Sequence, residues 1–413
     1  MISSNAWCRN CSGAVCSGGN MRARHCAKIS ACRGRSTDFS ERYAPRPDTR
    51  RADDQRRSAD MRGRIRVACL AAWAASAVPA PAAAWDFPGH RIVGAIADLV
   101  LQQYHPATQQ RVSELLQKND GGSVQKRSLS EVAVFPDCAK KGNVPFCGRP
   151  PSDEEKAYAE RNPHHDQFHF ADVPLQQPSY VPNTAGTQGI DAVQMIGYAV
   201  AQLRGKTPPA KPDVNLTDTE AVWLIAHLVG DIHQPLHVGA KYFDKTCQTS
   251  VDPNIGGTPP TFGIGDTSAM TMGGNLIFLV APPPAVPPVP NLHLYWDSTA
   301  VVRAMQAAGS AHSEQDFAKL LAAAPPGGWE TTGSADTWAA QWASEIMPLA
   351  VEAHQRLTIR KGSKPSPFSF TGGCTWETTL DPSYQDWAKA QARRQLAMAG
   401  FRLAALFKAI FEP

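Results

Sequence analysis

Long apolar runs, strand signals, repeats, paired thiols and excess positive charge are all scarce in this sequence, and each scarcity removes something. The longest apolar run, Val67–Pro79, is too short to span a bilayer, so stable membrane insertion is not expected. Strand signals are few and no internal repeat is evident, which leaves a mostly α chain. Among Cys8, Cys11, Cys16, Cys26 and Cys32 there is a single CxxC, without the second pair that a zinc module needs. The formal net charge of +4 is carried by the start of the chain: 15 of the 41 Lys and Arg and 6 of the 37 Asp and Glu lie in residues 1–84. The remainder holds 26 basic and 31 acidic side chains, a net of −5, so no basic phosphate-tracking surface is indicated. If that part meets nucleic acid, bound cations must supply the attraction.

The composition also divides the chain. Residues 1–60 are rich in Arg, Ser and Cys without an apolar period, and read as an upstream mistranslation or a disordered arm. Residues 61–84 follow the order of a secretory signal: the basic MRGRIR start at Met61–Arg66, the Ala-rich run, and Ala82-Ala83-Ala84 as a cleavage site before Trp85. Residues 85–413 are then a secreted or periplasmic helical domain. Its four cysteines, Cys138, Cys147, Cys247 and Cys374, suit two disulfides in an oxidising compartment. Three pairings are possible; loop size favours Cys138–Cys147 with Cys247–Cys374, against a four-thiolate zinc site.

What is present in abundance is imidazole and carboxylate at helical spacing. Trp223–Gly239, WLIAHLVGDIHQPLHVG, has an apolar helical period with His227 and Asp231 four apart on one face. Pro235 should end that helix and turn His237 onto a new heading. Such polar groups are costly to bury without partners. His293 and Asp297 repeat the spacing of four. Gly89–Tyr104 and Pro106–Lys118 read as helices, as do Thr187–Arg204, Ala335–Gln355 and Asp381–Phe411; Thr217 or Asp218 caps the central helix. Ser130–Ala139 is an apolar segment containing Asp137, and Pro145–Pro163 a polar insertion. His169 falls opposite Phe168 and Phe170 if that stretch is extended, with His164 and His165 exposed in the lead-in. Ala240–Pro290 is irregular, with a mobile first half and one short hairpin returning to the site. A freed Trp85 would offer its α-amine and carbonyl as a chelate, with His90 nearby.

Trp85, His90, Asp137, His169, His227, Asp231, His237, His293 and Asp297 supply nitrogen and oxygen ligands without thiolate, which suits catalytic zinc. Nine ligands exceed what one ion takes and would serve a cluster of three.

The sequence resembles the zinc-dependent single-strand nucleases of the S-one/P-one family, helical enzymes related to phospholipase C. The resemblance runs over residues 85–411: W(x)3GH at Trp85–His90, FPD at Phe135–Asp137, HFxD at His169–Asp172, HLxGDxHQPLHxG at His227–Gly239, GGN at Gly273–Asn275, LHxxWD at Leu292–Asp297 and LAMAGFRLA at Leu396–Ala404. It implies that Asp137, His169 and His227 hold one zinc. Asp231 would bridge to a second, held also by the Trp85 terminus and His90, while His237, His293 and Asp297 would hold a third. The implied reaction is phosphodiester hydrolysis leaving a 3′-hydroxyl and a 5′-phosphate, with 3′-nucleotides as further substrates. Phe170 matches the residue that stacks on a base and Asp172 the one that hydrogen-bonds it; Asn275 joins them as a substrate contact, and single strands are favoured because a stacked base must be free.

Where the family commonly has Arg, three residues after Asp137, this chain has Lys140, which cannot make the bidentate fork. The spacing from Asp137 to His169 is longer than in the fungal enzymes, and His233 reads as an outer donor to a ligand carboxylate. Two rivals are a phospholipase C, whose last metal pair usually ends in Glu rather than an Asp such as Asp297, and a non-catalytic exported zinc-binding protein.

Overall fold

In the computed structural model the described residues are 85–412, less 121–122, 141–146, 188, 212, 256–268, 282–288, 311–312 and 364–372. The chain divides into Met1–Trp73 and Ala74–Pro413, and every described residue belongs to the second unit. The upstream arm and the signal segment expected over residues 1–84 therefore lie outside the described residues.

Helices dominate, as the sequence predicts. The longer ones are α1 (Phe87–Tyr104), α2 (Pro106–Leu116), α3 (Asp153–Arg161), α4 (Ala192–Leu203), α5 (Asp218–Asp231), α6 (Glu314–Ala322), α7 (Trp338–Gln355) and α8 (Pro382–Phe411). Local chemistry sets their starts. Thr217 caps α5 in a capping box with Glu220, which decides between the two expected caps. α4 begins five residues later than its apolar period suggests, because Asp191 caps it while Thr187 closes a separate turn onto Val181 O. The insertion before His164 is partly helical, with Ser152 and Glu155 forming the capping box of α3. A 3-10 turn, Ala335–Thr337, precedes α7.

Around the central helix α5, whose residues from Glu220 to Asp231 are all buried, pack α4, α2, α1 and α8. Helices α1 and α8 meet closely at Gly400, where a Cβ would come within 2.5 Å of Ile96. That approach needs a glycine.

Strands are short. Val173–Pro174 pairs in parallel with Gly239–Ala240, and Ile277–Leu279 with Trp376–Thr378, which also pairs antiparallel with Arg360–Lys361. A hairpin is present in Ala240–Pro290, Tyr242–Phe243 against Ala269–Met270, but it spans the first half of that stretch instead of following it, and it leads straight into Gly273. Disulfides join Cys138 to Cys147 and Cys247 to Cys374, the pairing favoured by loop size. No helix among the described residues is long and apolar enough to cross a membrane.

Candidate metal centre

The spacing of four along α5 does what helix geometry requires. His227 Nε2 stands 3.3 Å from Asp231 Oδ2, with both side chains fully buried. α5 then stops: Gln234 caps a one-turn helix, Pro235–Val238, whose first position is the proline, and His237 is carried to a different face. Other elements converge on Asp231. From α1, His90 Nε2 lies 3.3 Å from Oδ1, and its ring stacks on His227 with centroids 3.8 Å apart. Gly230 makes room, since a Cβ there would sit 3.0 Å from His90 Nδ1. Trp85 is buried beside them and donates its indole N–H to Gly230 O at 2.7 Å.

His169 closes a 3-10 helix, His165–His169, and puts Nδ1 3.3 Å from Asp231 Oδ2 and 3.6 Å from Asp137 Oδ1. Asp137 comes from the one-turn helix Phe135–Cys138, tied down by the Cys138–Cys147 disulfide. The stretch around His169 is thus helical rather than extended. Phe168 goes into the core and Phe170 is half-buried.

His293 lies in Leu292–Leu294, and a π turn over Tyr295–Ala300 follows. The wider turn, a feature often found at functional sites, leaves Asp297 Oδ2 3.3 Å from His293 Nε2 and Oδ1 3.7 Å from His237 Nε2. Gly273 supplies the supporting carbonyl for His293. It has φ +54°, and a Cβ there would lie 2.0 Å from Leu236 O, so no larger residue fits that turn.

Ligand atoms therefore gather in three groups, each within 4.8 Å: His90 with His227 and Asp231; Asp137 with His169 and His227; His237 with His293 and Asp297. The outward ring nitrogens decide what these groups can accept. His237 Nδ1 donates to His169 O and His293 Nδ1 to Gly273 O, each at 2.7 Å, which leaves both Nε2 atoms as lone pairs. Those two Nε2 atoms face each other at 2.9 Å. His227 Nδ1 donates to Ala133 O at 2.5 Å, and its Nε2 faces His169 Nδ1 at 2.8 Å. The opposed lone pairs of His237 and His293 repel unless a cation lies between them, and an outer hydrogen bond of the kind made by His227, His237 and His293 is the usual support for a metal-bound imidazole.

The charge balance points the same way. Burial lowers His90 and His293 to about 4 and also lowers His237, so these rings are neutral at neutral pH. Burial raises Asp297 to about 7, against the opposing pull of His293 and Gln234. For Asp231 burial pushes upward too, but the imidazoles around it outweigh burial and hold its carboxyl well below the usual range. Among the imidazoles His227 goes the other way: burial lowers it, but the Asp231 and Asp137 carboxylates outweigh burial and raise it. A buried set of imidazoles and carboxylates with inward nitrogen and oxygen donors suits zinc.

Residues 85–412 match the S1/P1 Nuclease family. The chain belongs to the S1/P1 nuclease family. It is a phosphodiesterase of nuclease type with nucleic acid as substrate, and the mostly helical architecture agrees. No curated protein matches the chain.

The remaining expected residues of this S1/P1 nuclease fall into place unevenly. Lys140 is buried and donates to Asp137 Oδ1 at 2.7 Å. Burial alone would raise Asp137, but Lys140 and the neighbouring histidines keep its carboxyl well below the usual range. Lys140→Met is expected to cost about 10–100-fold in zinc affinity or turnover, the usual effect of losing an outer partner; zinc titration and kcat/KM together check this. Asp172 is buried, its backbone clamped between Gly186 O at 2.9 Å and the Tyr242 hydroxyl at 2.8 Å. Asn275 donates its side-chain amide to Met272 O at 3.0 Å, within the glycine turn.

Two histidine expectations are corrected. His165 is buried with its ring 5.3 Å from that of Tyr158, while His164 is exposed as expected. His233 donates to Val229 O at 2.7 Å and faces Arg402, not a ligand carboxylate. The residue of this turn that donates to a carboxylate is Gln234, whose Nε2 reaches Asp297 Oδ1 at 2.7 Å. Its position between two ligands and immediately before Pro235 was the available signal.

Proposed function

We propose that the mature chain starts at Trp85, is exported, and is a three-zinc endonuclease that cleaves single-stranded DNA and RNA to 5′-phosphorylated products, with 3′-nucleotides as further substrates. The supporting observation is that His237 and His293, each committed at Nδ1 to a backbone carbonyl, oppose their Nε2 atoms at 2.9 Å, and that His227, likewise committed at Nδ1, turns its Nε2 to His169 Nδ1. In this reading Asp137, His169 and His227 hold one ion. His90, the Trp85 amine and carbonyl, and Asp231 as a bridge hold the second, while His237, His293 and Asp297 hold the third. The ions, when bound, lower the pKa of water and neutralise charge on the phosphoryl group.

The chain's own side chains orient and discriminate. Lys140 fixes Asp137. Phe170 offers a half-buried ring beside His169 on which an unstacked base rests. Asp172, raised to about 7 by burial, accepts base N–H groups when ionised. Binding is therefore expected to strengthen as pH rises through about 7, where the carboxyl loses its proton. Asp172→Asn should flatten that limb of the KM profile on a defined oligonucleotide; an unchanged profile would remove Asp172 from base recognition.

The deciding experiment combines N-terminal sequencing of the exported protein, a zinc count, and incubation with single- and double-stranded DNA, RNA and a choline phospholipid. The expected result is Trp85 first, three zincs and preferential loss of the single-stranded substrates. Turnover of lipid alone sinks the nuclease reading, and three zincs without any hydrolysis favours a storage protein. Retaining residues before Trp85 converts its amine to an amide, and a drop to two tightly bound zincs with lower activity is expected.

A further inference from the structure

Arg402, in α8, is a cation that is only 2% exposed. Burying a guanidinium is costly unless its donors are paired. Its Nε donates to Trp329 O at 3.1 Å, and its Nη2 donates to Gly328 O at 3.2 Å and to the Glu345 carboxylate. Nη1 faces His233 Nε2 at 3.1 Å, and the group lies 5.5 Å from the Trp342 ring centroid. Because His233 Nδ1 donates to Val229 O, its Nε2 is an acceptor and Arg402 is the donor.

His233 sits in the middle of the turn between α5, which ends at Asp231, and the helix that carries His237. The two sides of this turn feed different ligand groups. Its last residue, Gln234, also holds Asp297. Backbone bonds inside the turn are local: Ile232 N to Leu228 O, His233 N to Gly230 O, and Gln234 N to Asp231 O. They give the turn its shape but do not fix its heading relative to distant elements. The Arg402–His233 bond ties that shape to α8, 169 residues away in sequence. Helix α8 in turn packs on α1, which carries His90.

We infer that Arg402 is a positioning residue: through His233 it holds the turn between Asp231 and His237 and thereby sets the spacing between the His90/His227/Asp231 group and the His237/His293/Asp297 group. Arg suits this role because its planar fork engages the imidazole and three other acceptors at once, which a lysine cannot do.

This rests on the three-zinc reading. The test compares R402M, R402K and His233→Leu with the native chain for zinc bound per chain, zinc affinity, kcat, KM and Tm. R402M is expected to weaken one zinc by about tenfold or more and to lower kcat more than it changes KM. R402K keeps one donor for His233 but loses the fork, so its zinc affinity should recover towards native while its Tm stays as low as that of R402M. His233→Leu leaves Arg402 its carbonyl and carboxylate partners and should weaken zinc as R402M does; it carries the test if R402M does not fold. Equal zinc affinities in R402K and R402M, or native affinity in His233→Leu, overturn the positioning role. A native chain that does not bind three zincs removes the underlying reading, and this inference with it.

Discussion

Asp231→Asn is expected to release two zincs together and to lower turnover by more than the roughly hundredfold that loss of an outer partner can cost. Its two oxygens face His90, His169 and His227 at 3.3 Å and have no other hydrogen-bond donor among the described residues. Asparagine keeps the shape but replaces one oxygen with an NH2 group, a donor where an inward imidazole nitrogen already presents its own ligand atom. The side chain is fully buried, so no water easily replaces the lost oxygen. The His237, His293 and Asp297 group does not use Asp231 as a ligand and should keep its ion. Zinc analysis per chain, with kcat measured on the same sample, separates the cases. Retention of either bridged ion at native affinity would show that Asp231 does not join the two groups.

Replacing Cys247 and Cys374 together by serine is expected to cost about 5 kcal/mol, since the bridge closes a long loop in the unfolded chain. The two cysteines are 127 residues apart, against 9 for Cys138 and Cys147, for which the same entropy gives roughly half as much. Native contacts add to the longer bridge. Trp376 donates its indole N–H to Cys247 O at 3.0 Å and stacks on Phe243 with centroids 4.6 Å apart. Phe243 belongs to the hairpin that leads to Gly273, the carbonyl partner of His293. The variant should therefore melt about 10 °C or more lower, at about 2 °C per kcal/mol for a chain of this size, and lose zinc from the third group before the others. Thermal unfolding of both double-serine variants checks the order: a larger drop for Cys138 and Cys147 would contradict it.

The pairs His227 with Asp231 and His293 with Asp297, which the structure brings into the three groups, were legible because their spacing is a local signal. A histidine and an aspartate four apart on an apolar helix are costly to bury singly, and Pro235 announces a change of direction before His237. Helix ends were less legible. The apolar period of α4 extends towards Thr187, but the cap at Asp191 decides where its backbone N–H groups are satisfied. His165 shows the limit of composition: its polar neighbours suggest exposure, yet the 3-10 turn rotates its ring onto Tyr158.

By itself the sequence determined which histidines and aspartates stand at helical spacing in apolar surroundings and that the chain is mostly helical, because residue type and short-range periodicity are local properties. Only the tertiary structure decided which imidazole faces which carboxylate, that Gln234 rather than His233 supports a ligand carboxylate, and that Arg402 reaches the central turn from the far end of the chain. Those contacts depend on how α1, α5 and α8 cross, and a crossing is set by packing between residues that no local pattern relates.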